Sequence, residues 1–254
     1  GAIRFGDSAA ARQLQAAIDP VADADVLVDY PEADEALTVT GTGATTTIFM
    51  DQIEAALAIL FDDAVVLNSP TDAVRIATTN DGGETAGADI TFNYTLDADS
   101  PGGQELELFS GTDGDITFVG NVGAGARLGD VFIGDDNAGD QHDFQSILAS
   151  GTFAANSLSV EQFADDGGEV RFDQGINTAG YTAAAIANSE AGGDVFIDTD
   201  ADADGDPGGD VLVFGTINTS ALAVTSGPGE DAGNVTIDGK DVVVQGIQIG
   251  RAHV

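Results

Sequence analysis

The sequence predicts an all-β chain wound as a right-handed parallel β-helix, a β-solenoid with a short N-terminal capping helix. Two observations predict it. The first is a recurring segment. Residues 114–122 read Gly-Asp-Ile-Thr-Phe-Val-Gly-Asn-Val, and residues 209–217 read Gly-Asp-Val-Leu-Val-Phe-Gly-Thr-Ile. Residues 168–176 give Gly-Glu-Val-Arg-Phe-Asp-Gln-Gly-Ile, and shorter copies start at Gly129, Gly193 and Gly233. A degenerate copy starts at Asp89. Each copy is a turn followed by a β-branched or aromatic strand. One such unit cannot bury its apolar face alone and must stack on its neighbours. The second observation is that the remaining apolar residues fall in short runs of β type, bounded by Gly, Asp and Pro.

The elements follow in order. Residues 7–19 read as a helix, with Asp7 or Ser8 as N-cap and Ala10, Leu14, Ala17 and Ile18 on one apolar face. Pro20 ends it, and the helix is placed as a lid on the solenoid core. Strands are expected at residues 26–28, 37–39 and 46–49. Residues 52–61 fit either a helix or strands; the coil spacing that follows favours strands. Residues 65–67 and 74–76 continue the series. Residues 78–88 and 96–104 read as Gly-rich loops. This divides the chain into an N-terminal arm and helix (1–20), irregular coils (21–110) and regular coils (111–254). The Gly-plus-acid starts imply coils of about 20 residues with two or three strands each. Ten or eleven coils at about 4.8 Å each would make a rod about 50 Å long.

Composition bounds the function. The 254 residues hold 44 Asp and Glu against seven Lys and Arg, a formal net charge of -37. Such a chain repels phosphate backbones and anionic lipid, so neither nucleic acid nor membrane insertion is expected. It attracts hard cations instead. Hydrophobic residues at 43% separate it from disordered acidic chains. Cys is absent, so neither disulfides nor thiolate-bound zinc holds the fold. Missing Cys, a single Lys and high acidity point to a secreted, extracellular or cell-surface protein, or one from a saline setting.

Residues 209–237 resemble the secreted β-solenoid adhesins of the filamentous-haemagglutinin type. Those repeat Gly-Asp/Asn-Val/Ile-Thr-Ile strands, then a Leu-rich strand and a Gly-rich turn. Asn177-Thr178-Ala179-Gly180 matches the same style. Residues 14–49 resemble the opening coil of pectin-lyase-like β-helices, with Leu-Gln-Ala-Ala-Ile-Asp, then Asp-Val-Leu-Val, then Ala-Leu-Thr-Val. The resemblance implies the parallel coil and a bacterial surface or filament role.

The sharpest local feature is an acidic run with Asp198, Asp200, Asp202, Asp204, Asp206 and Asp210. Alternate carboxylates with Gly205 after the fourth can wrap a calcium ion, and the Gly permits the bend. Position 12 of an EF-hand loop counted from Asp200 falls on Val211, so the reading is a projecting calcium loop, weighed against a solvated acidic loop. The pairs Asp62-Asp63, Asp135-Asp136 and Asp165-Asp166 are turn residues by this reading, because neighbours on a strand face opposite ways. A polysaccharide lyase or hydrolase would need an Arg beside converging acids, and Arg75, Arg127 and Arg171 are the candidates. His142 and His253 form no recognisable site. No catalytic residue or cofactor site is assigned, and the chain is not read as an enzyme. The expected role is structural: a subunit of a surface filament, adhesin or biofilm matrix, stabilised by calcium, that self-associates head to tail. A polysaccharide or a host surface is the further expected partner, and a carbohydrate-binding module is the third reading. An apolar run at residues 241–249, with no capping helix after it, is the expected contact surface.

Overall fold

The computed structural model describes residues 37–39, 46–48, 52–55, 57–69, 71–79, 86–134, 143–162, 168–180, 192–199, 208–221 and 232–249. The helix expected over residues 7–19 and the strand expected over 26–28 lie outside them.

The chain winds coil by coil over three faces. The first coil holds β1 (Leu37–Val39), β2 (Thr46–Ile48) and β3 (Gln52–Glu54), and the second holds β4 (Ile59–Phe61), β5 (Val65–Leu67) and β6 (Ala73–Ala77). The third holds β7 (Ile90–Phe92), β8 (Leu96–Ala98) and β9 (Glu105–Phe109). The fourth holds β10 (Asp115–Phe118), a single bridging residue, Val122, paired with Leu96 and Phe153, and β11 (Leu128–Ile133). In the fifth, β12 (Ser146–Ala149) precedes β13 (Phe153–Glu161), which bends across the second and third faces. The sixth holds β14 (Val170–Phe172), β15 (Ile176–Asn177) and β16 (Val195–Asp198). In the seventh, β17 (Val211–Asn218) bends across the first two faces before β18 (Val235–Asp238). The last strand, β19 (Val242–Gln248), bends the same way over β17.

Every strand pair among the described residues is parallel, and each strand pairs with the one a coil away. This is a parallel β-helix, with no antiparallel layer among the described residues. The residues expected to be helix or strand at 52–61 hold β3 and β4. The Gly-rich loop expected over 96–104 starts later, because Leu96–Ala98 is β8.

Coil length differs from the expectation. Register partners on the first face are Leu37, Ile59, Ile90, Ile116, Ile147, Val170, Val211 and Val242. The steps are 22, 31, 26, 31, 23, 41 and 31 residues by subtraction of those numbers. Among the described residues eight rungs span seven steps of about 4.8 Å, about 34 Å of rod, and the steps are longer than the expected length of about 20 residues. The reason lies in where the repeated segments fall. The copies at Gly114, Gly168 and Gly209 open first-face strands, whereas those at Gly129, Gly193 and Gly233 open third-face strands. One coil therefore carries two copies, and counting copies as coils overestimates the rungs.

The strands alternate inward and outward, as in Ile90-Thr91-Phe92 and Val170-Arg171-Phe172. Inward residues of successive rungs stack into columns that form one core. The second inward position of the first face holds Phe61, Phe92 and Phe118. Phe61 and Phe92 stack at 4.7 Å between ring centroids, and Phe92 and Phe118 at 5.3 Å. The next rung puts Ala149 in this column. Phe153, one strand later, fills the vacated space and meets Phe118 and Phe172 edge-on at 5.7 and 5.6 Å. Stacked and edge-to-face contacts both suit the ring quadrupole.

The Gly of the repeat is required by close approach. A Cβ on Gly193 would overlap the carbonyl oxygen of Asn156 in the rung before, and one on Gly209 would overlap that of Gly168. Only Gly admits the two backbones this closely.

Candidate functional site

Loops of different lengths leave the coil at its corners, and a buried hydroxyl closes the base of several. Thr78 donates to the carbonyl of Ala88 at 2.7 Å, and Ser110 to that of Gly114 at 2.7 Å. Thr178 does the same to Gly193 at 2.7 Å, Thr199 to Gly209 at 2.8 Å and Thr219 to Gly233 at 2.8 Å. All five donors are buried. Each bond satisfies a buried hydroxyl and ties the loop's exit to its return. Strand register is thereby insulated from loop length. The same corner recurs literally at Ile176-Asn177-Thr178 and Ile217-Asn218-Thr219, where each Asn side chain also accepts from the backbone N–H two residues on. This second repeat is legible in the sequence as an Ile-Asn-Thr string in two copies, but the Gly-based reading passes over it.

The acids of the main repeat have a structural use. Asp89 accepts from the backbone N–H of Asp115 at 3.0 Å. Asp115 in turn accepts from the Ser146 hydroxyl, and Asp130 from the Ser157 hydroxyl at 2.7 Å. Asp194 accepts from the backbone and the side-chain amide of Asn234 at 2.7 and 3.2 Å. In each case the donor sits in the following rung. The Gly lets two rungs close up, and the acid then ties them together. Asp62 accepts from Asn93 in the next rung at 2.9 Å, and Asp63 caps the N–H of Ala64 at 2.9 Å. That pair is turn chemistry. Asp135, Asp136, Asp165, Asp166 and His142 lie outside the described residues.

The expected calcium loop is placed in part. Asp200, Asp202, Asp204 and Asp206 lie outside the described residues. Asp198 ends β16 and Asp210 precedes β17, on either side of the Thr199–Gly209 clamp. Both feet stand in columns of carboxylates. Asp198 is the register partner of Glu161 and Asp238. Asp210 lies between Glu169 and Asp241, which precede the same first-face column. Like charges one rung apart repel, so both columns favour cations in their neighbourhood. The Oδ1 of Asp210 is buried without a hydrogen-bond partner. Among the described residues no three acidic or histidine side chains cluster closely enough to hold a metal ion.

The three candidate arginines stand apart. Arg75, on the third face, lies 3.6 Å from the buried Glu54 carboxylate and 4.8 Å from the centre of the Phe109 ring. Arg171, on the first face, bonds Asp173 at 2.6 Å, sits 3.6 Å from Glu169 and covers the Phe214 ring at 5.1 Å. The bond to Asp173 holds the Arg171 guanidinium above its ordinary pKa. Arg127, at the corner between the second and third faces, donates to the carbonyls of Asn177 and Ala179. No two of them share a face.

The two ends of the described part of the rod are unlike. In the first described coil Ile48 and Ile53 are buried, at 4% and 6% exposure. In the last rung Val242, Val243, Ile247 and Ile249 are 45–55% exposed, and β19 pairs on one side only among the described residues. Residues 242–249 carry no charge in a chain of net charge -37.

Comparison with protein-family models, with curated proteins and with solved structures gives no match. The parallel coil therefore rests on this chain's own strand pairing.

Proposed function

We propose that the protein is a structural extracellular β-helix, a subunit of a surface filament, adhesin or matrix. The observation that carries this reading is the use made of the repeat's acids. Asp89, Asp115, Asp130 and Asp194 tie one rung to the next. Residues committed to holding a rod are not poised for proton transfer or nucleophilic attack. The separate, individually partnered settings of Arg75, Arg127 and Arg171 favour the same reading over a lyase acting on acidic polysaccharide.

Kinship with the filamentous-haemagglutinin-type or pectin-lyase-like solenoids belongs to this proposal. So does self-association through the apolar last described rung, where a strand edge unpaired among the described residues and uncharged side chains suit a further rung. Calcium belongs to it as the ion that offsets the carboxylate columns around Asp198 and Asp210. The test is light scattering with negative-stain microscopy of the full chain, with calcium and with chelator. Head-to-tail rods that shorten or dissociate in chelator are expected. Monomers under every condition would overturn the assembly reading.

A further inference from the structure

We infer that the third face carries a binding platform for a neutral, extended polysaccharide, centred on Phe132 and Phe196. The outward column of this face runs Glu107, Phe132, Ser159, Phe196, Thr236 by strand register. Phe132 is 38% exposed and Phe196 half-buried, so both rings present a free surface. Among the other described phenylalanines, Phe61, Phe92, Phe118, Phe144, Phe153 and Phe172 are buried in the core, and Phe109 and Phe214 lie beneath guanidinium groups.

The spacing gives the platform its chemistry. Phe132 and Phe196 are two rungs apart, about 10 Å, on a straight line along the rod. Ser159, which stands between them in the column, has a small side chain. An extended chain of 1,4-linked pyranoses presents the same face of alternate sugars at a comparable interval. The C–H groups of a pyranose face suit the electron-rich face of an aromatic ring. Carboxylates border this column. Asp130 and Asp194 stand on one side and Glu161 on the other. Ionised carboxylates accept hydrogen bonds from sugar hydroxyls, and acceptors along an apolar strip are the usual make-up of a ligand surface. The same charges select against an acidic polymer and against a second copy of this chain laid face to face.

This inference rests on the extracellular structural reading and adds what the rod holds. Its test is calorimetric titration of the full chain with a neutral β-1,4-linked glucan hexasaccharide, with polygalacturonate as the acidic control. The wild type should bind the hexasaccharide and not the control. Phe132→Ala and Phe196→Ala should each weaken binding by about tenfold, and Phe132→Tyr should retain it. Circular dichroism checks that each variant is folded. Absence of binding by the wild type, equal binding by the alanine variants, or preference for the acidic polymer would overturn the platform. So would an oligomeric mass that depends on Phe132, which would make the occupant a second copy. Light scattering of the same variants separates the two ideas, since loss of sugar binding with assembly intact removes only this one.

Discussion

Phenylalanine occupies two columns of this rod and does different work in each. On the first face Phe61, Phe92 and Phe118 follow one another on consecutive rungs, inward and fully buried. On the third face Phe132 and Phe196 point outward and are separated by Ser159. Consecutive rungs bring rings to stacking distance, whereas alternate rungs hold them about twice that far apart. The inner column therefore stabilises the coil, and the outer column contributes less to its packing. Residue type alone does not distinguish core from surface here. Register does.

Removing one ring from each column is the sharpest way to break this comparison. Phe92→Ala leaves a cavity between two stacked rings and should cost about 3–5 kcal/mol. Phe132→Ala should stay within about 0.5 kcal/mol. Urea unfolding measures both, and hydrogen exchange should show the Phe92 loss concentrated at β4, β7 and β10. Similar losses for the two variants would mean that the outer ring is also structural.

The gap in the inner column sharpens it further. Ala149 and Phe153 share one space, so Ala149→Phe alone overpacks and should cost about 1–3 kcal/mol. Pairing it with Phe153→Ala restores a ring to the column and should recover most of the loss. A double variant no better than the sum of the singles would show that Phe153 does not stand in for the missing ring.

Asp194→Ala comes next in size. It deletes the acceptor for two donors of Asn234. A loss of about 1 kcal/mol is expected, because both donors lie where water can replace the carboxylate. An unchanged thermal midpoint would make the repeat's acid an ornament of solubility rather than a tie between rungs.

Much of this was open to reading in the chain. The Gly-plus-acid segments mark strand starts, and the alternation after each one marks the core face. The number of rungs was not legible, because two faces use the same start signal and loops of unequal length blur the period. The aromatic column was hidden for the same reason. Phe61, Phe92, Phe118 and Phe172 recur at unequal intervals, and only the clamped corners bring them into line. The long strand β13 turns a corner with no Gly at all. The acidic run is legible as a cation loop, but the carboxylate columns at its feet depend on residues some 40 positions apart, such as Glu161 and Asp198 or Asp198 and Asp238.

The smallest effect concerns charge on the outer side of the third face. The Glu105 carboxyl is held above its ordinary pKa, first by partial desolvation and then by Asp130, Glu107 and Asp72. An acid whose folded pKa is raised favours the fold while it is protonated. That contribution is full below the unfolded pKa and is lost as pH rises through the folded one. At neutral pH the ionised Glu105 therefore opposes folding, and Glu105→Gln should raise the thermal midpoint by an amount worth less than about 1 kcal/mol, given its exposure. The advantage should vanish as pH falls through the carboxylate range. Added salt should shrink it only in part, since screening acts on the neighbouring charges and not on desolvation. A variant equally stabilised at acid and neutral pH would show that shape, not charge, sets the effect at this position.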